Sequence, residues 1–296
     1  MAESHASPIL KWAGGKQGIA ARLVELFPSN FDRYFEPFVG GGSVLFTLRP
    51  RKAVASDANG WLIDTYEAIR EDQAQVARIL DGLENTKEEY MRLRRILPEA
   101  LPPFRRAAHL VYLNKTGFRG LFRVNRLGQF NVPYGRYDRR YYDPSNLRAV
   151  AEALKSVEIR RGDFELCLHD VTYRDFVYLD PPYYKLGGYS DFNRYTKNQF
   201  RENDHLRLAA FCRELDLRGV RWAVSNSDTD FVRELFEGYH ATAIGNRREI
   251  NLNSKDRAIT ELLITNYAPE TRPVQEELFG SGDLEPSGSM SSDPGS

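Results

Sequence analysis

The stretch YFEPFVGGGS, Tyr34–Ser43, decides the fold. YFEPF has the aromatic, apolar composition of a buried strand, and it runs directly into three glycines. Glycines at a strand end let the backbone pass close to a ligand and take positive φ. Residues 52–56, KAVAS, repeat the strand pattern and end at Asp57. Further along, SVEIRR before Gly162, FVYL before Asp180, RWAVS before Asn226 and ELLITNY from Glu261 read as buried strands. Ile19, Leu23, Leu26 and Phe27 share one helical face, as do Leu208, Phe211, Cys212 and Leu215. Strands alternating with helices predict a parallel α/β sheet. Ligands of such sheets bind at the carboxyl ends of the strands.

Residues 60–148 break this rhythm. They are charged and mostly helical in pattern, and they end in an arginine-rich loop, so they read as an insert between two strands. The expected division is a discontinuous catalytic unit, 1–59 with 149–267, around an insert at 60–148. Residues 268–296, rich in Pro, Gly, Ser and acids, are expected to form no packed structure.

The chain has 296 residues with 41 basic and 41 acidic side chains, and that balance alone argues against a polyanion partner. The distribution reverses this. Thirteen basic residues and three acids lie between Arg92 and Arg148, a net +10, whereas the tail from Ala268 carries −5. A basic middle in a neutral chain points to a localised polyanion site. Cys167 and Cys212 have neither close spacing nor a metal-binding pattern. MAESHASPIL lacks the flank and core of a secretory leader, and no apolar run approaches the roughly 20 residues of a membrane helix. The expectation is a cytoplasmic protein without a membrane partner. His5, His109, His169, His205 and His240 form no ligand cluster, so no metal site is expected.

The chemistry falls at strand ends. Asp57 stands where a carboxylate can hold ribose hydroxyls. Ser43 and Val44 follow the glycines directly, which breaks the G-x-G-x-x-G dinucleotide pattern, and there is no phosphate loop. The expected ligand is therefore a nucleoside, not a dinucleotide or a triphosphate. YLDPPYYKLGG, Tyr178–Gly188, places Asp180 ahead of two prolines. Prolines lack N–H groups and free the backbone from strand pairing. The Pro181 carbonyl can then turn toward the Asp180 carboxylate, giving two acceptors suited to an exocyclic amine. Tyr183 offers a flat face to the ring bearing that amine.

DPPY at 180–183, EPFVGGGS at 36–43, ILKWAGGK at 9–16 and YLNKTGFRGLFRVNRLGQFNVPYGRY at 112–137 together resemble the Dam family of DNA adenine-N6 methyltransferases, alpha group of the D12 class. The resemblance is collinear from about residue 8 to 267. It implies a Rossmann-like class I methyltransferase sheet with S-adenosylmethionine over the glycine turn. Trp12, Lys16, Phe38, Gly40, Gly42, Asp57, Asp163, Phe164 and Asp180 would bind that cofactor. Asp180, Pro181 and Tyr183 would carry catalysis on an adenine flipped from double-stranded DNA. Arg119, Arg123, Asn125, Arg126, Arg139 and Arg140 would contact DNA, with the reading hairpin near 117–135. The implied target is GATC or a related short site, in a monomer of the bacterial cytosol and nucleoid. Relatives that methylate GATC often carry Asn where Arg119 stands, and arginine prefers guanine. Methylation of cytosine N4 or of RNA, and an inactive DNA-binding relative, remain alternatives. So do housekeeping and restriction-modification roles. The glycines of 185–195 suggest a loop that closes on the flipped base. In the tail, Gln275, Leu278 and Phe279 resemble short peptides that bind bacterial sliding clamps.

Overall fold

A computed structural model describes residues 5–184, 200–245 and 260–269. Helix α1 (Ala20–Glu25) precedes β1 (Tyr34–Glu36), and α2 (Ser43–Leu48) leads to β2 (Ala53–Asp57). Then come α3 (Gly60–Asp81), α4 (Lys87–Leu93), α5 (Pro103–Thr116), α6 (Pro144–Leu154) and β3 (Val157–Arg161). The short α7 (Phe164–Cys167) is followed by β4 (Phe176–Leu179), α8 (Glu202–Leu217), β5 (Arg221–Ser227), α9 (Asp230–Leu235), β6 (His240–Gly245) and β7 (Thr260–Thr265).

The strands form one sheet in the order β3-β2-β1-β4-β5-β7-β6. Strands β3, β2, β1, β4 and β5 are parallel, while β7 runs antiparallel to both β5 and β6. The expected parallel α/β sheet is present, with its direction reversed at one edge, where β7 is antiparallel. The apolar run of β7 reports burial on both faces, which is the same for either direction. An antiparallel neighbour also needs no crossover helix to announce it. Strand β6 escapes the apolar pattern because it is an edge strand, on which Ile244 is buried and most neighbours are exposed.

Side chains alternate across the sheet. Tyr34, Ala53, Ala55 and Tyr178 enter a core on one face; Phe35, Val54, Val177 and Leu179 enter a second core on the other, against Leu208, Phe211, Cys212 and Leu215 of α8. Segment 60–148 shares the first core: Leu62, Tyr66 and Ile69 of α3 and Leu110 and Tyr112 of α5 pack into it. Helix α3 starts at a side-chain cap, Asn59 Oδ1 accepting from Leu62 N at 3.1 Å. It kinks at Asp72 (φ −149°, ψ 83°), whose carboxylate accepts from Gln75 N at 2.9 Å and so caps the second half.

After α5 the chain turns into a hairpin. Gly117 pairs with Tyr134 and Val124 with Phe130 as isolated antiparallel bridges. No helix among the described residues is long and apolar enough to cross a membrane. The loop expected at 185–195, and Gln275, Leu278 and Phe279 of the tail, lie outside the described residues.

Candidate active site

The carboxyl ends of β1, β2 and β4 open onto a cleft of about 970 Å³. Trp12, Lys16, Phe38, Gly40, Asp57, Asp163, Phe164, Asp180, Pro181 and Tyr183 all line it. The hairpin reaches the same cleft through Phe122, Val124 and Gly128.

The glycine turn explains the cleft's floor. Gly40 has φ +48°, and a Cβ there would stand 2.8 Å from the Trp12 indole. Gly40 N donates to Asp57 Oδ2 at 3.2 Å, and Asn59 N donates to Asp57 Oδ1 at 2.8 Å. Asp57 therefore ties the glycine turn to the start of α3, and each oxygen keeps lone pairs for further donors. Tyr66, absent from the sequence expectations, holds the turn from α3 by donating to Gly40 O at 2.7 Å. Gly42 has a different place from Gly40. It takes φ +73° as the residue before α2, where a Cβ would meet the Phe46 ring at 2.6 Å, and it is not among the lining residues.

Lys16 is the centre of charge. It is 2% exposed, its ammonium lies 2.8 Å from Asp180 Oδ1, and it donates to Gly14 O at 2.6 Å. The same ammonium sits 4.6 Å from the centre of the Tyr183 ring. Two carboxylates share this cation's field, Asp180 and Glu36. Burial pushes Asp180 up to about 6 against the pull of Lys16. Burial pushes Glu36 further, to about 8, opposed by the Tyr34 hydroxyl donating at 2.8 Å. Burial thus favours the protonated form of Glu36 more strongly than that of Asp180, whose charge the Lys16 ammonium supports. Glu36 lies within the quoted EPFVGGGS run, yet nothing local marks it as buried opposite Lys16.

Beyond Asp180 the backbone is held from the sheet. Tyr184 N donates to Asn226 Oδ1 at 3.2 Å, and Ser227 Oγ donates to Tyr184 O at 2.6 Å. Tyr183 Oη donates to Glu261 Oε2 at 2.7 Å. At the other end, Phe38 packs 5.6 Å from Phe164, and Phe200 meets Phe38 edge-on at 5.8 Å. Asp163 caps α7 through Glu165 N and pairs with Arg207 at 2.6 Å. Arg207 and Phe200, brought in by and just before α8, are further lining residues that no sequence pattern singled out.

The six DNA-contact candidates separate into two groups. Arg119, Arg126, Arg139 and Arg140 are exposed. Arg119 takes φ +57° and stacks its guanidinium 5.3 Å from the Phe118 ring. Arg123 instead donates from Nε and Nη2 to Asn131 O at 3.0 and 2.6 Å. Asn125 Oδ1 accepts from Leu127 N at 2.9 Å and Gln129 N at 3.0 Å, building the hairpin turn. None of the six lines the cleft.

The donor set fits a zwitterionic nucleoside cofactor. Asp57 offers acceptors beside the turn, Gly40 lets the backbone approach, and the cleft holds both carboxylates and a cation. The family model described as D12 class N6 adenine-specific DNA methyltransferase matches residues 12–250. The chain is 39% identical to type II methyltransferase M.MjaIII of Methanocaldococcus jannaschii over 288 residues, covering 88% of this chain and 99% of that protein. It is 37% identical to type II methyltransferase M1.LlaDCHI of Lactococcus lactis subsp. cremoris, with 88% and 95% covered. It is 32% identical to the DNA adenine methylase of Escherichia coli K12, again with 88% and 95% covered.

Proposed function

The chain belongs to the D12 class of N6 adenine-specific DNA methyltransferases, and from that premise we propose that it moves a methyl group from S-adenosylmethionine to adenine N6 at GATC or a related short site in double-stranded DNA. Its seven-stranded mixed sheet is the class I methyltransferase fold, and the chain is an adenine-specific DNA methyltransferase by family. The observation that carries the mechanism is the Asp180 carboxylate, which lines the cleft with one oxygen 2.8 Å from the buried Lys16 ammonium.

Adenine N6 shares its lone pair with the ring and is a poor nucleophile. The Asp180 carboxylate and the Pro181 carbonyl accept its two hydrogens and draw the lone pair out of the ring plane. The cofactor supplies an activated methyl on a sulfonium. Trp12, Phe38, Gly40, Asp57, Asp163 and Phe164, which line the cleft, would bind and orient it, with Gly42 shaping the turn and Lys16 setting the charge. Holding the two reactants in line can supply up to roughly 7–11 kcal/mol. Asp180 also stabilises the positive charge growing on N6. The extra proton leaves N6 for solvent during or after transfer. Tyr183, which lines the cleft with the Lys16 ammonium 4.6 Å from its ring centre, would stack on the flipped base.

Residues 60–148 form the recognition insert of this proposal, 1–59 with 149–267 the catalytic unit, and 268–296 a separate tail. Arg119 and Arg126 are the base-reading candidates that exposure favours. Arg139 and Arg140 hold phosphates. The test exposes plasmid DNA and RNA to the purified protein with S-adenosylmethionine and maps modified bases. N6-methyladenine at one short DNA site is expected. Modified cytosine, modified RNA, or unmodified DNA overturns the proposal.

A further inference from the structure

We infer that Glu261 is a positioning residue for methyl transfer, acting through the Tyr183 hydroxyl to set the angle of the ring that faces the target base. The inference rests on the DNA adenine reading above.

Three observations carry it. The Tyr183 hydroxyl donates to Glu261 Oε2 at 2.7 Å, so the far end of the ring is anchored. The Lys16 ammonium sits 4.6 Å from the ring centre while pairing with Asp180 at 2.8 Å, so the face of the ring is anchored to the same cation that holds the catalytic carboxylate. The backbone just after the ring is fixed by Asn226 and Ser227 on β5. A tyrosine side chain has two rotatable angles; a fixed backbone, an end-on hydrogen bond and a facial cation leave neither of them free.

Strand direction is what delivers Glu261 to this place. It is the second residue of β7 and pairs with Ser227, the last residue of β5. Because β7 is antiparallel, its beginning lies at the edge where the parallel strands end. In a parallel β7 the same residue would lie at the opposite edge, far from Asp180. Its charge is also felt at Asp180, where it pushes the carboxyl up, as burial does.

The test is a double-mutant cycle on the full chain, with steady-state rates and the fluorescence of 2-aminopurine at the target position. Tyr183→Phe keeps the ring and removes the hydroxyl; Glu261→Ala removes the anchor. Each alone is expected to lower kcat by about ten- to a hundredfold with KM for the cofactor little changed. Each should also leave the flipped 2-aminopurine brighter, because it stacks less well. Glu261→Ala in the Tyr183→Phe background should add nothing. Glu261→Gln, which keeps an acceptor and the side-chain shape, should restore most of kcat and covers the case in which the alanine variant folds poorly. Equal losses from Glu261→Ala in both backgrounds, or Glu261→Gln as impaired as Glu261→Ala, overturn the inference while the wild type remains active. A wild type that methylates no DNA overturns this inference and the proposed function together.

Discussion

The edge around Asp180 and the hairpin around residues 117–135 solve opposite problems. At the edge, each polar group is fixed by another: Lys16 by Asp180 and Gly14 O, Tyr183 by Glu261, Asp57 by two backbone amides. In the hairpin, Arg123 and Asn125 are bonded within the hairpin itself, while Arg119 and Arg126 face solvent. Chemistry needs atoms placed before the substrate arrives. Reading a sequence needs side chains that exchange water for base edges. A hairpin residue that resembles a base reader can therefore equally be the scaffold that presents one.

The most severe break in this comparison is at Asp180. Asp180→Ala is expected to cut the rate of transfer at least about 10³-fold in single-turnover assays. It also strands a buried ammonium, so it should lower thermal stability as well. Asp180→Asn keeps an acceptor and isolates the loss of charge; activity within tenfold of wild type would remove the charged-acceptor mechanism.

The next effect is on stability and pH. Glu36 is 3% exposed, and burial lifts its carboxyl from 4.5 to about 8. A carboxyl raised by folding stabilises the protein fully below the unfolded value, and that contribution is lost as pH rises through the folded one. Unfolding free energy should therefore fall between about pH 4.5 and 8 by a few kcal/mol. Glu36→Gln should flatten that slope in denaturant titrations across the range; an unchanged slope would show that Glu36 is ionised throughout. Asp180, raised from 3.8 to about 6, must be ionised to accept the amine, so kcat/KM should fall below about pH 6. Glu36→Gln should leave that limb in place.

Within the hairpin, Arg119→Ala is expected to cost about 1–3 kcal/mol of discrimination at one base pair. Arg123→Ala should weaken binding to every sequence by loosening the hairpin, with the preference unchanged. The same competition assay on single-base variants of the site checks both, and a change of preference in Arg123→Ala would return that residue to the reading set. The smallest effect is at Arg140, which lies 3.8 Å from Asp81 and over Tyr142. Arg140→Ala should reduce the slope of binding against salt by about one phosphate's worth and leave sequence choice alone.

What could be read from the sequence was local. The strand into Gly40–Gly42, the Asp-Pro-Pro-Tyr turn and the short strand that ends at Asp57 each lie within a few residues, where backbone preference and side-chain type act directly. The cluster of basic residues between Arg92 and Arg148 was readable too, because clustered charge is a property of composition. Even there the sequence could not tell Arg119, exposed, from Arg123, bonded to Asn131 O. Only the tertiary structure brought Lys16 of the first block against Asp180 of the last and buried Glu36 in the same field. It alone reversed β7 so that Glu261 arrives beside Tyr183 at the edge where the parallel strands end. The physical reason is that burial and strand direction are settled by contacts between distant segments. An apolar run announces that it will be buried, but not which way it will run or which charge will lie beside it.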